Sequence, residues 1–305
     1  MLTDIGLLFP GQGSQFVGMG ADLYDRYPES RAVYDRASDV LELDIREVSF
    51  QGPEDRLRQT QFTQPAILVH SLAVLAALPG LEPRAVAGHS LGEYSALYAA
   101  GAFDFDAVLK LVRRRGVLMG EEGVKNPGTM AAIIGIEAAK VEELCAAVDG
   151  VVAPANYNEP LQTVISGEVG AVRSAVELAP GFGARKAVML PVSGAFHSPL
   201  LTESAAAFAD YLAGFEIRAP RCPVVVNVSG RPVRDAVAVR DALARQLTSP
   251  VRWVETIRAC RSLGVASFLE PGPGRVLAGL ARRIDRDASV TAAGTADEVA
   301  ALRGS

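Results

Sequence analysis

Histidine and cysteine are almost missing from this chain, with three of each in 305 residues. The cysteines, Cys145, Cys222 and Cys260, make no C-x-x-C pair and have no histidine beside them, which argues against a zinc site and against a disulfide framework. They read as ordinary core thiols, and no metal is expected. A positive charge excess is lacking too. Thirty Lys and Arg stand against 35 Asp and Glu, a formal net charge of −5, so no phosphate-neutralising surface and no nucleic-acid partner is expected. No apolar run reaches the ~20 residues that a bilayer demands. The longest, Ala66 to Leu78, is interrupted by His70 and Ser71. The opening Met-Leu-Thr-Asp-Ile-Gly sets no basic stretch before an apolar one, so neither a signal peptide nor a membrane segment is expected, and the expected location is the cytoplasm.

What is present is ample core material, with 49% apolar against 21% charged residues, in a chain long enough for one α/β body carrying a smaller insertion. Ile5 to Phe9 reads as a buried strand that runs into Pro10-Gly11-Gln12-Gly13-Ser14-Gln15, a glycine-rich candidate site loop. Helical periodicity follows at Glu29 to Leu43 and Gln64 to Leu78. A strand at Ala85 to Ala87 then enters Gly88-His89-Ser90-Leu91-Gly92 and a further helix. Between Thr129 and Leu190 the pattern changes. A strand at Met130 to Ile136, a helix near Ala138 to Val148, strands at Val151 to Asn156 and Thr163 to Ser166, a helix at Val169 to Ala179 and a strand at Lys186 to Leu190 give the order βαββαβ of a ferredoxin-like unit. Helix and strand then alternate again: helix Pro199 to Gly214, strand Pro223 to Val228, and helices around Ala236 to Leu247 and Val251 to Leu263. A last strand at Ala266 to Glu270, the turn Pro271 to Gly274 and a helix at Val276 to Ile284 follow. The expected fold is α/β, with an α/β-hydrolase-like body built on a parallel sheet (residues 1–127 and 192–305) and a ferredoxin-like subdomain at 128–191.

The G-x-S-x-G at 88 to 92 lies between a strand and a helix, the context of a nucleophile elbow in which glycines relieve crowding around an exposed, strained serine. A structural Gly-rich turn is the competing reading. Ser90 would need a base. His70 sits mid-helix among apolar residues, the usual place of a core histidine, whereas His197 lies in the polar loop Ser193 to Pro199, where functional side chains concentrate. His89 adjoins the serine but points elsewhere at such a turn, and reads as loop support. Acyl chemistry also needs two donors for the developing oxyanion. The Leu91 backbone N–H is one, and Gln12 in the glycine-rich loop is the candidate for the other.

Taken together, Phe9 to Gln15, Gly88 to Glu93, Arg115-Gly116, Gly194-Ala195-Phe196-His197 and Gly272-Pro273-Gly274 resemble, in order and across nearly the whole chain, the malonyl-CoA:acyl-carrier-protein transacylases. The resemblance implies that Ser90 is the nucleophile, His197 its base, and the Gln12 and Leu91 amides the oxyanion hole. It also implies a serine–histidine dyad whose histidine is oriented by a backbone carbonyl, here that of Gln246. Arg115 becomes the residue that grips the free malonyl carboxylate, a role suited to a planar guanidinium; without the resemblance it reads as one of the solvated run Arg113-Arg114-Arg115. Phe196, in the pocket with His89, resembles the aromatic that narrows malonyl-selective acyltransferases. Gly120 departs from the family, which often carries Gln there.

The resemblance further implies malonyl-CoA and acyl-carrier protein as partners, no metal or organic cofactor, and a monomer. An acidic carrier calls for a basic patch, with Arg114, Lys186 and Arg283 as candidates. Three other readings stand beside this one: a discrete polyketide-synthase acyltransferase loading malonyl or another acyl group, a hydrolase that clears stalled carriers, and an inactive binding module. The last would require damage to Ser90 or His197, and both are present.

Overall fold

The computed structural model describes residues 4–192 and 194–304. Ser193, the first residue of the predicted His197 loop, lies outside them. Among the described residues ten strands form two sheets: β1 (Ile5–Phe9), β2 (Ala85–Gly88), β3 (Gly128–Ile134), β4 (Val152–Glu159), β5 (Gln162–Glu168), β6 (Lys186–Met189), β7 (Val224–Val226), β8 (Arg231–Val233), β9 (Ser267–Pro271) and β10 (Ser289–Ala293).

The larger sheet has the order β10-β9-β1-β2-β7-β8. β10 to β7 are parallel, and β8 runs antiparallel to β7. The sheet is therefore mixed, a correction to the expected all-parallel one. β1 shows why this sheet is a core layer: all five of its residues are buried, Leu7 and Phe9 packing into one cluster and Leu8 into another on the opposite face. Apolar on both faces, such a strand requires helices above and below.

β3 to β6 make the second, antiparallel sheet, ordered β4-β5-β3-β6, with the helices Ala138–Ala146 and Val169–Leu178 between its strands in the chain. Alternation along β3 decides its faces. Ala131 and Ile133 pack with Val141, Leu144, Val172 and Ala175 of those helices, while Met130 and Ala132 join the core of the body. β4 is also stitched to the body by peptide bonds: Tyr157 N donates to Val251 O at 2.9 Å and Val251 N to Ala155 O at 2.8 Å. A charge pair, Arg283 to Glu159 at 3.0 Å, lies on the same side.

Two further elements correct the sequence reading. Ser267–Pro271 is not the last strand, because β10 and the helix Ala296–Arg303 follow it. β10 is an edge strand of mostly half-exposed residues, so it carries little of the apolar signal that marks a buried strand.

Candidate active site

Ser90 sits between β2 and the helix Gly92–Ala99, with φ +52°. That left-handed value is unusual for a residue with a side chain, and the surroundings enforce it. A Cβ on Gly92 would collide with the Phe9 carbonyl, and one on Gly11 with the His89 carbonyl. Glycine at both positions lets the Pro10 to Gln15 loop lie directly against the elbow. Asn227, fully buried just past β7, clamps the turn: its Oδ1 accepts from Ser90 N at 2.7 Å and its Nδ2 donates to Gly88 O at 2.7 Å. Its own N–H donates to Glu93 Oε2 at 2.7 Å. Burial pushes the Glu93 carboxyl up to about 7.

His197 is brought to this serine from 107 residues away. Its Nε2 lies 2.7 Å from Ser90 Oγ, and its Nδ1 lies 3.0 Å from both Gln246 O and Ser249 O. Two carbonyl neighbours can only accept, so Nδ1 carries the proton and Nε2 presents its lone pair to the serine. Burial, and then the positive charge of Arg115, push the imidazole down to about 3, against the pull of the two carbonyls. The ring is neutral throughout the physiological range.

Arg115 does not belong to a solvated run. Successive helix residues point about 100° apart, and within Phe105–Lys125 the side chain of Arg115 turns into the core at 0% exposure. Its Nε donates to Gln246 Oε1 at 3.2 Å, one terminal nitrogen to Gln64 Oε1 at 2.8 Å and the other to Ser90 Oγ at 3.1 Å. Ser90 Oγ thus touches both a base and a cation.

The cleft above Ser90 has a volume of about 210 Å³. Gln12, His89, Phe196 and His197 line it, with Met130 and Val164 from the second sheet and Leu277 from the body. Among the described residues neither the Gln12 nor the Leu91 backbone N–H has a hydrogen-bond partner. His89 stays off the serine oxygen: its Nε2 pairs with Asn158 Oδ1 at 2.8 Å and its ring packs 5.3 Å from Trp253. His70 is buried, with Nε2 2.9 Å from Gly294 O. Of the predicted docking residues, Lys186 and Arg283 are exposed, Arg114 is half-buried, and Arg283 is paired with Glu159. No group of three or more metal-ligating side chains occurs among the described residues.

Sequence reasoning missed Asn227, Gln64, Asn158 and the side chain of Gln246. Two of these carried a signal: asparagine is disfavoured within strands, which flags Asn158 in β4, and a polar residue at the carboxyl end of an α/β strand, as Asn227 is, stands where such sheets bind ligands.

A serine at such an elbow on an α/β sheet, with a histidine against it, is the frame of an acyl transferase, and residues 7–298 match the family model described as the acyl transferase domain. The chain is 39% identical to the malonyl CoA-acyl carrier protein transacylase of Staphylococcus aureus (strain MRSA252), covering 98% of both chains. It superposes with TM-score 0.94 on a structure of a type II PKS acyl-carrier protein in complex with its malonyl-transacylase, at 41% identity and 99% coverage of each chain. It is also 46% identical to the polyketide biosynthesis protein ThaF of Burkholderia thailandensis, over 91% of this chain and 24% of that protein. The chain belongs to the malonyl CoA-acyl carrier protein transacylase family.

Proposed function

We propose that this protein moves malonyl from malonyl-CoA to the phosphopantetheine thiol of an acyl-carrier protein, by a ping-pong route through a malonyl ester on Ser90. The observation that carries this reading is the single oxygen, Ser90 Oγ, held 2.7 Å from the His197 lone pair and 3.1 Å from the buried Arg115 cation. His197 Nε2 takes the Oγ proton as Oγ bonds to the thioester carbonyl carbon. The carbonyl electron pair moves onto oxygen, where the Gln12 and Leu91 amides receive it. Collapse breaks the carbon–sulfur bond, and coenzyme A leaves with the proton from His197. In the second half the carrier thiol gives its proton to Nε2 and its sulfur attacks the ester carbon. The carbon–Oγ bond then breaks, and Oγ recovers the proton. Every proton and electron pair is accounted for by these groups and the two thiols, so the route calls for no metal or organic cofactor.

Arg115 binds the malonyl carboxylate. Once acylated, Oγ is an ester oxygen and a poorer acceptor, which frees the guanidinium N–H for the incoming anion. His89 and Phe196 shape the pocket. The topology supports reading 1–127 with 192–305 as an α/β-hydrolase-like domain and 128–191 as a ferredoxin-like one. No helix among the described residues is long and apolar enough to cross a membrane. We take the enzyme to act in the cytoplasm and as a monomer. The 46% identity to ThaF favours a second pathway for the same chemistry, supply of malonyl to polyketide carriers.

Intact mass after mixing with malonyl-CoA, acetyl-CoA or methylmalonyl-CoA separately, followed by carrier protein, tests the reading. A malonyl adduct is expected on the wild type, absent from Ser90→Ala, and chased onto the carrier. Steady release of free malonate instead would make the protein a hydrolase. Arg115→Ala is expected to slow malonyl loading roughly a hundredfold. Undiminished loading would remove Arg115 from its role.

A further inference from the structure

A buried guanidinium almost always has a carboxylate beside it, because an uncompensated charge in the interior is costly. Arg115 has none. It is 0% exposed, and among the described residues it takes part in no ion pair, although sixteen others form. Two amides hold it instead. Gln64 Nε2 donates to Met119 Sδ at 3.2 Å, and Gln246 Nε2 donates to Ser90 O at 3.1 Å. Each amide nitrogen is thus engaged elsewhere, and each oxygen is turned onto the guanidinium. The Tyr94 ring lies 5.6 Å from the cation and is likewise uncharged. Glu93 acts on Arg115 through space without a hydrogen bond; its Oε2 is committed to the Asn227 N–H, and burial raises its carboxyl to about 7, so that it is only partly ionised near neutrality.

We propose that Gln64 and Gln246 are positioning residues for acyl-group selection, aiming Arg115 through neutral oxygens so that the acyl group's own carboxylate is its first counter-ion. A glutamate at either place would keep one oxygen on the guanidinium and set a full negative charge against it. It would also cancel the charge that distinguishes a malonyl from an acetyl group. The two amides therefore keep an electrostatic vacancy that a carboxylated substrate fills and a plain acyl group does not. This rests on the reading of Arg115 given above and adds the means by which its charge stays available.

The test compares rates of Ser90 loading from malonyl-CoA and from acetyl-CoA, followed by intact mass, in the wild type, Gln64→Glu, Gln64→Met, Gln246→Glu and Arg115→Ala. Gln64→Glu is expected to lower the malonyl-to-acetyl ratio roughly tenfold or more, chiefly by raising the malonyl-CoA concentration needed for half-maximal loading. Gln64→Met, similar in length and uncharged, loses the aiming oxygen but adds no charge, so its ratio should fall less than that of Gln64→Glu. A wild-type ratio in Gln64→Glu, or an equal loss of ratio in Gln64→Met, overturns the proposal. Gln246→Glu carries the same expectation and decides the matter should Gln64→Glu fail to fold. Arg115→Ala separates the two levels. A collapsed ratio there with an intact one in Gln64→Glu sinks only the role of the amides, whereas an intact ratio in Arg115→Ala sinks the carboxylate reading beneath it.

Discussion

Ser90 and His197 both have left-handed backbone, at φ +52° and +57°, a conformation that costs roughly 1–3 kcal/mol for a residue with a side chain. Asn227 and Gln246 hold Ser90 there through its N–H and its carbonyl, and the Gln246 and Ser249 carbonyls hold the His197 ring. The serine's strain was legible in the G-x-S-x-G pattern; that of the histidine was not, because nothing within Gly194 to Pro199 marks it. The downward push on His197 has a kinetic consequence. In the free enzyme the base stays unprotonated well below the ordinary histidine value, so kcat/KM for malonyl loading should remain level from about pH 8 to about pH 5. An unperturbed imidazole would lose about thirtyfold over that range. A stopped-flow pH profile that falls from near pH 6.5 would show the depression to be absent in solution.

The elbow depends on glycines that no other residue can replace. A Cβ on Gly92 meets the Phe9 carbonyl oxygen, and one on Gly88 meets the Gly92 backbone, atoms of strand and helix with no freedom to move aside. Gly92→Ala is expected to cost about 3 kcal/mol or more in chemical unfolding and to abolish Ser90 loading. A variant of wild-type stability would contradict this packing. Local patterns of this kind could be read from the chain: the βαββαβ run, the strand-turn-helix at 85 to 99, and the helix Val276–Ile284 at its observed bounds. Edge elements could not. β8 and β10 are short and half-exposed, although Thr295 and Glu298, three residues apart, form a capping box that announces the final helix. The Arg115 cage was illegible for another reason: positions 64, 90, 115 and 246 meet only through tertiary packing, and nothing in their spacing relates them.

Five buried groups bear on how the fold responds to pH between 4.5 and 6.5. His70 and His197 are pushed down to about 4 and about 3 and His89 is pushed down as well, while Glu93 and Glu270 are pushed up to about 7, burial being the main cause in each case. The histidines contribute stability that is present above their unfolded value of 6.5 and lost as pH falls toward 4 and 3. The raised carboxyls act in the opposite sense: the folded chain holds their protons where the unfolded chain, at 4.5, has released them, so stability falls as pH rises from 4.5 to about 7. Three histidines against two carboxyls leave a small net gain of stability as pH rises between 4.5 and 6.5, and the melting temperature should fall more steeply below that window. Glu270→Gln removes one of the opposing carboxyls, so its melting temperature should climb with pH across that window more steeply than that of the wild type. Equal slopes for variant and wild type would mean that Glu270 is already ionised in the fold. 

The join between β4 and the body has a mechanical meaning. Both peptide groups of Val251 that face β4 are bonded to it, and Val251 stands two residues beyond Ser249, whose carbonyl steadies the His197 ring. The His197 ring is thus tied to β4 by a short covalent and hydrogen-bonded path, two peptide hydrogen bonds and one proline long, so the second sheet and the base share a support.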